Sequence, residues 1–552
     1  IEIRRKPKWW NDNLTKKREA IKRLSKIRNR RPDQDQQLNF LKRTYKREIF
    51  RASEESWKKF CSKADSVSDL SRLIKCLTRT SAPMAMIKNQ SGVVPDTTRE
   101  SHANLLTQHF PNHHAHKVHS DPIPIPEDSD RTIFNLITPN IVKNALNSFA
   151  PNKAAGPDEI HPKILQNLGP LAIAIITEIY RSSLETTRIT DSLLHMKAVF
   201  ITKGKPDAAC PKSYRPITLS SFILKGLERI IQWHLQETTL ASPLAHQHAY
   251  TKHRSCDTAL SEAIHKLEGG FRSAEYVLMV SLDCSGAFDN LPFGSAMRAM
   301  ASFKVSPYIV GWYKQLLEGR RVDSDVYGDE QTVYPSKGSP QGGVLSPLVW
   351  IMVMDSLLSR FGTNNPIKVI GYADDVLLMA QGIDPPTIVA NMQRAINRAV
   401  TWAEECGLHF NPIKTQCCFF HPGHREQPWP TLRMSGVDLT YSDTIKYLGL
   451  TIDRRLTWIP HLKEKCLQAK RLINAAKRAI GKEWGLSPTK LMWLHTAIVR
   501  PQISYGAVVW AHRVQQNSVL RRKLDSVQRQ ILLGLAHPMR STPTAGMESV
   551  IG

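Results

Sequence analysis

Two adjacent aspartates, Asp374 and Asp375, close the stretch Gly371-Tyr372-Ala373-Asp374-Asp375. Apolar residues flank it: Ile367, Val369 and Ile370 before, Val376, Leu377, Leu378 and Met379 after. The pattern predicts a tight β-hairpin with both carboxylates at its tip. Neighbouring negative charges at the end of buried strands repel, which makes structural sense where a cation sits there. Oxygen ligands of this kind suit Mg²⁺, which keeps positions for water and substrate phosphates. A plain acidic turn is the other reading of these five residues taken alone. A third carboxylate, Asp283, ends a β-type apolar run through Val277, Leu278, Met279 and Val280. One strand-end carboxylate plus a hairpin pair is the ligand set of a two-metal phosphoryl-transfer site, where ions about 3.5–4 Å apart clamp the attacking and leaving oxygens. The backbone carbonyl of Cys284 is a further candidate donor.

The elements that must position these groups follow from turn chemistry and periodicity. Gly338-Ser-Pro-Gln-Gly-Gly-Val-Leu-Ser-Pro347 is a loop in which backbone and Gln341 can lie against a flat ligand. Pro347 predicts the start of a helix through Leu348, Trp350, Ile351 and Met354. Ala198–Ile201 predicts a strand with Lys203 just beyond it, and Ser213-Tyr214-Arg215-Pro216 precedes a helix carrying Phe222, Leu227 and Ile230. Arg215 as a bidentate fork and Lys203 as a point charge are placed for phosphates, unless they merely decorate surface loops.

Charge divides the chain more sharply than hydropathy does. Residues 1–63 hold 21 Lys and Arg against 8 Asp and Glu, and residues 454–552 hold 17 against 4, so each end carries +13. The middle is neutral, which predicts a chemical core between polyanion-binding arms. The first arm predicts a basic helical hairpin, with Asn11, Asp12 and Asn13 as capping candidates and a second helix after Pro32. Among the basic residues of the last segment, Trp484, Trp493 and Trp510 fit core positions better than base-stacking ones. Residues 81–135 look like a linker rich in Pro and His; His113, His114, His116 and His119 lack Cys or Asp at ligand spacing and predict no metal centre. The domains expected are therefore 1–80, a basic helical extension; 81–135, a linker; 136–453, the chemical core; and 454–552, a basic helical region. The 552 residues include nine dispersed Cys, which predict reduced thiols in an intracellular protein. No apolar run approaches the ~20 residues of a membrane span, and no membrane role is expected. A start at Ile1 predicts a piece of a longer polyprotein.

The set of motifs resembles the reverse transcriptases of non-LTR (LINE-type) retrotransposons. The resemblance implies an α+β right-hand polymerase fold, with fingers, an antiparallel-sheet palm and a helical thumb after the basic N-terminal extension. It implies that Asp283 and Asp374 are the metal-binding aspartates and Asp375 their hairpin partner. Phe288 matches a steric gate against a ribose 2′-OH, Gln341 a residue near the incoming nucleotide and template, and Arg215 a fingers residue on the triphosphate. Lys203 and Tyr372 join the nucleotide-binding set. Lys414 matches a lysine that assists pyrophosphate departure, and Tyr447-Leu448-Gly449 resembles the loop gripping the primer end. The implied cofactors are two Mg²⁺, with Mn²⁺ as substitute, and the implied partners are an RNA template, a DNA primer or target, and dNTPs. The implied place of action is the nucleus. No endonuclease or RNase H domain is visible in the sequence. His248-Ala249-Tyr250 departs from the Gly-Phe-Arg that relatives tend to show. An RNA-templated RNA polymerase and an inactive nucleic-acid-binding relative are the rival readings; the first would want a small residue at Phe288, the second a lost aspartate.

Overall fold

The computed structural model describes residues 7, 9–27, 31–63, 66–78, 84–117, 123–204, 207–242, 244–362, 365–421, 423, 429–479, 484–535, 539 and 541–551. His119 lies outside them. Two compact units divide the chain: Ile1–Ser81 with Trp458–Gly552, and Ala82–Thr457.

The first unit is helical. α1 (Asp12–Ser25) is capped by Asn11, whose side chain accepts from the Leu14 amide at 2.9 Å. α2 (Pro32–Lys63) starts at the proline that the sequence marked, and α3 (Val67–Thr78) follows. Leu70, Leu73 and Leu77 of α3 share one core with Cys466, Ala469, Leu472 and Ile473 of the helix Ile459–Ala476, and with Leu491, Val527 and Ile531 further on. Polar ties join the same ends: Arg478 donates to the Leu77 carbonyl (2.7 Å) and the Gly485 amide to Ser62 Oγ (3.0 Å). The two basic ends, expected as separate domains, thus form a single folded body. It holds 39 Lys and Arg against 14 Asp and Glu, nearly all of the chain's +26. Trp510 is buried, and Trp484 and Trp493 pack against this core, as core residues do.

In the larger unit α4 (Thr98–His109) comes first, then strands β1 (His195–Thr202), β2 (Tyr214–Leu219), β3 (Tyr276–Asp283), β4 (Arg321–Val326), β5 (Asp329–Val333), β6 (Ile367–Tyr372), β7 (Asp375–Gly382), β8 (Gln416–Phe420), β9 (Leu432–Met434), β10 (Val437–Leu439), β11 (Thr444–Tyr447) and β12 (Leu450–Asp453). The palm sheet has the order β6-β7-β3-β8 and is antiparallel throughout. β3 is central and Tyr276 to Val280 are all buried, which is why its sequence is a continuous apolar run and not an alternation. A second sheet, β2-β1-β4-β5, pairs β1 with β4 in parallel and its other neighbours antiparallel. The helix Ser346–Leu358, with Pro347 in its first turn, buries Trp350 in the common core. The larger unit is α+β, with the antiparallel sheet expected of the palm.

The linker expected over 81–135 is not one. Ile87, Leu105, Leu106, Phe110 and Ile133 are buried, and α4 packs on β5. The apolar pattern is weak there because α4 also buries Ser101, His102 and His109, polar side chains that hydrogen-bond inward.

The shared core of the helical unit makes a testable claim. Leu73→Ala should cost about 2–5 kcal/mol. Native-state hydrogen exchange should show the loss in the helix Ile459–Ala476 as well as in α3. Undiminished protection of Ile459–Ala476 would mean that the two ends fold independently.

Candidate active site

The register of the palm sheet assembles the acidic cluster. Asp283 at the end of β3 stands directly opposite Asp375, the first residue of β7. Tyr372 pairs with Asp375 across the β6–β7 hairpin, leaving Ala373 and Asp374 as its two-residue loop. Ala373 takes φ +55°, the left-handed conformation that two-residue hairpin loops require at their first position. Gly371 has its own reason: a Cβ there would meet Leu358 Cδ1 at 2.7 Å and Gln247 Nε2 at 3.3 Å.

The three carboxylates disturb one another. Burial raises the Asp375 carboxyl to about 6, and the charges of Asp374 and Asp283 add to the rise. Asp374 also rises through burial and the charge of Asp283, opposed by its own backbone amide and by Arg215. Both residues are solvent-exposed by area, yet enough protein surrounds the carboxyl groups to desolvate them. Lys414 neutralises Asp283, its Nζ lying 3.0 Å from Oδ2. Among the described residues no three His, Cys, Asp or Glu side chains converge to hold an ion. The three negative charges disfavour one another, and a divalent cation is the kind of charge that relieves this. The residues therefore suit an oxygen-liganded dication by chemistry and by strand register. Cys284, next along from Asp283, bridges to Phe410, and the Asn411 amide donates to the Asp283 carbonyl at 2.8 Å, tying the Lys414 loop to the end of β3.

The other expected residues fall into two groups. Arg215 is exposed on β2 and its charge acts on Asp374. Tyr447 is buried on β11 with a hydroxyl that has no hydrogen-bond partner among the described residues, and Asp375 lies within electrostatic reach of it. Leu448 (φ +43°) and Gly449 (φ +78°) form the two-residue loop between β11 and β12; a leucine there is backbone strain of the sort found at ligand-gripping turns. Arg215 and Tyr447 thus lie within electrostatic reach of the acidic cluster. Lys203 instead follows β1 with Nζ on the Lys212 carbonyl (3.0 Å). Phe288 is half-buried, its ring 5.4 Å from that of Trp350, and its carbonyl accepts from the Ser339 amide. Gln341 accepts from the Thr218 amide through its backbone (2.8 Å) and donates from Nε2 to Asp289 (3.3 Å).

Two supporting residues escaped the sequence reading. Gln247, wholly buried, accepts three backbone N–H bonds on one oxygen, from His248 (3.1 Å), Ala249 (3.0 Å) and Ala373 (3.1 Å). It thereby clamps the hairpin loop that carries Asp374. His248 is held by Thr258 and Glu262, and Glu262 also pairs with Lys368 of β6; the His248 hydrogen bond is the main reason its carboxyl falls to about 2. In His248-Ala249-Tyr250 the histidine thus serves as a brace. Glu228, also buried, accepts from the Val344 and Leu345 amides (3.1 and 3.2 Å) and fixes the end of the glycine-rich loop. Neither residue belongs to a spaced motif, since the loop each one fixes lies over a hundred residues away.

Residues 201–452 match the family described as reverse transcriptase (RNA-dependent DNA polymerase). This part of the chain is similar to reverse transcriptases, and the sequence aligns beyond it with proteins of retrotransposable elements. The chain is 28% identical over 357 residues to a putative 115 kDa protein in the type-1 retrotransposable element R1DM of Drosophila melanogaster, covering 64% of this chain and 34% of that protein. It is 23% identical over 572 residues to a retrovirus-related Pol polyprotein from the type-1 retrotransposable element R1 of Bradysia coprophila, covering 99% and 54%. It is 24% identical to an RNA-directed DNA polymerase from the mobile element jockey of Drosophila melanogaster, covering 82% and 51%. The chain spans about half, or less, of the length of these relatives.

The clamp on the hairpin predicts that Gln247→Leu strands the Ala249 and Ala373 amides, while the His248 amide keeps the Gly371 carbonyl (2.9 Å), at roughly 1–3 kcal/mol for each buried group left unsatisfied. Extension activity should fall at least tenfold at a temperature where the variant remains folded. Gln247→Glu, which keeps an acceptor oxygen in place, should retain more activity than Gln247→Leu. Equal activity of Gln247→Leu and wild type would show that the loop holds its shape unaided.

Proposed function

We propose that this chain is the polymerase portion of a non-LTR retrotransposon protein, adding dNTPs to a DNA 3′-OH on an RNA template. The observation that carries the reading is the placement of Asp283, Asp374 and Asp375 at one end of adjacent palm strands, within the segment that matches reverse transcriptases. Reverse transcriptases depend on divalent metal. Here Asp283, Asp374 and Asp375, with the Cys284 carbonyl, would hold two Mg²⁺ or Mn²⁺, which when bound supply Lewis-acid stabilisation of the attacking and leaving oxygens.

The remaining work is positioning and charge placement. Arg215 and Lys203 would meet the triphosphate, with Gln341 and Tyr372 against the nucleotide. Lys414, on Asp283 when no nucleotide is present, is the cation nearest to hand for the departing pyrophosphate. The Leu448-Gly449 turn after Tyr447 would grip the primer end. The basic helical unit would track the backbone of the template and duplex. Acting on target DNA, the protein would work in the nucleus. Among the described residues no helix is long and apolar enough to cross a membrane.

A primer-extension assay with an RNA template, a DNA primer and either dNTPs or rNTPs tests the reading. Phe288→Val should raise rNTP incorporation relative to dNTP by at least about tenfold, since about 1.4 kcal/mol of discrimination corresponds to that factor. Because the ring also rests on Trp350, the thermal midpoint is measured alongside. A folded variant with unchanged sugar preference would remove the gate role. A wild type preferring rNTPs would replace the DNA-polymerase reading with an RNA-polymerase one.

A further inference from the structure

We propose that His109 and Asp289 are positioning residues for Gln341, fixing which face of its amide is offered to the nucleotide and template. The proposal rests on the polymerase reading above, in which Gln341 lines the nucleotide site.

His109 ends α4 and is 4% exposed. Its Nδ1 lies 3.3 Å from Asp289 Oδ2 and its Nε2 3.1 Å from the Pro211 carbonyl, with the Phe200 ring 5.7 Å away. A carbonyl oxygen only accepts, and the Asp289 carboxylate already accepts from Gln341 Nε2 on Oδ1. Both partners of the His109 ring are thus hydrogen-bond acceptors. The carboxylate is shared between the imidazole on one oxygen and the glutamine amide on the other. That sharing has a chemical consequence at Gln341. Facing a group that only accepts, the amide must turn its NH₂ toward Asp289, so its carbonyl oxygen Oε1 becomes the atom presented outward. Gln341 is thus fixed as an acceptor, suited to an amino or hydroxyl donor on a nucleotide or its template partner.

The rest of the local structure supports such a role. Asp289 immediately follows Phe288, and a Cβ at Gly338 would meet the Asp289 carbonyl at 2.6 Å, so the loop carrying Gln341 lies directly on this turn. Gln341 is also anchored by its backbone to Thr218. α4 is pinned a second time two turns earlier, where His102 sits between Asp329 (3.1 Å) and Ser324 (2.9 Å) on the β4–β5 hairpin. Residues seven apart share one helix face, so α4 acts as a strut from β4–β5 to Asp289. A segment that the sequence presents as a linker thereby reaches the active site through a side chain.

The test is a double-mutant cycle on the full chain, with steady-state kinetics and misincorporation measured on an RNA template. Asp289→Asn is nearly isosteric and lets the Gln341 amide turn over; His109→Ala removes the other support. Each should raise the dNTP KM about tenfold and increase misincorporation, with kcat within about twofold, matching Gln341→Ala. In a Gln341→Ala background neither should add more than about twofold. Thermal midpoints identify variants that lose activity by unfolding, and in that case Asp289→Asn alone decides. Effects that persist in full without Gln341 would show a merely structural role and overturn the proposal. Unchanged KM and fidelity in Asp289→Asn would overturn it too, as would a silent Gln341→Ala. A wild-type chain that extends no primer would overturn the polymerase reading itself and this proposal with it.

Discussion

The repulsion among three carboxylates is the constraint around which this structure is arranged. Directly opposed residues on antiparallel strands sit about 4.5–5.5 Å apart. Those are Cα separations; unit charges about 5 Å apart repel by about 3 kcal/mol at the effective dielectric of a protein surface. The sheet places Asp283 and Asp375 in that relation and hangs Asp374 on the adjoining loop. A hairpin left to itself would splay. What holds it is burial of β3 and β7, reinforced by Gln247 on the loop and Lys414 on Asp283. Burial raises the Asp374 and Asp375 carboxyls, and the neighbouring negative charges add to the rise.

From that point outward the structure supplies positions at increasing distance. β3 sets Asp283, the β6–β7 loop sets Asp374, and the turn after Tyr447 lies at the end of β11. Glu228 holds the glycine-rich loop from beneath, through two amides. The formal charge is kept apart from this machinery: the larger unit holds 36 Lys and Arg against 35 Asp and Glu, and the helical unit carries almost the whole excess. Such a division lets long-range attraction of a polyanion coexist with a finely balanced acidic site.

Local chemistry made part of this legible before any coordinates. The hairpin at Asp374-Asp375 shows itself because two apolar runs flank a polar pair, and Pro347 marks its helix because proline suits the first turn. The family resemblance named Phe288, Gln341, Lys414 and Tyr447, none of which stands out by periodicity. What could not be read depends on contacts distant in sequence. Gln247 and Ala373 are 126 residues apart, and His109 and Asp289 are 180 apart. A buried histidine also erases the apolar pattern by which a packed helix is found, and so α4 passed for part of a linker. The union of the two chain ends in one core escaped for the same reason, since a charge-rich helix gives no sign of which partner its apolar stripe will meet.

The central claim is that the aspartate cluster carries the chemistry while binding resides elsewhere. Asp374→Asn, compared with wild type for primer extension on an RNA template with Mg²⁺ and in parallel for affinity to the same primer–template duplex, tests it directly. The account predicts extension reduced by at least about a hundredfold, since one charge is lost from the ion-binding set, and duplex affinity within about twofold. Extension retained above a few per cent of wild type, or loss of duplex binding in step with activity, would contradict it.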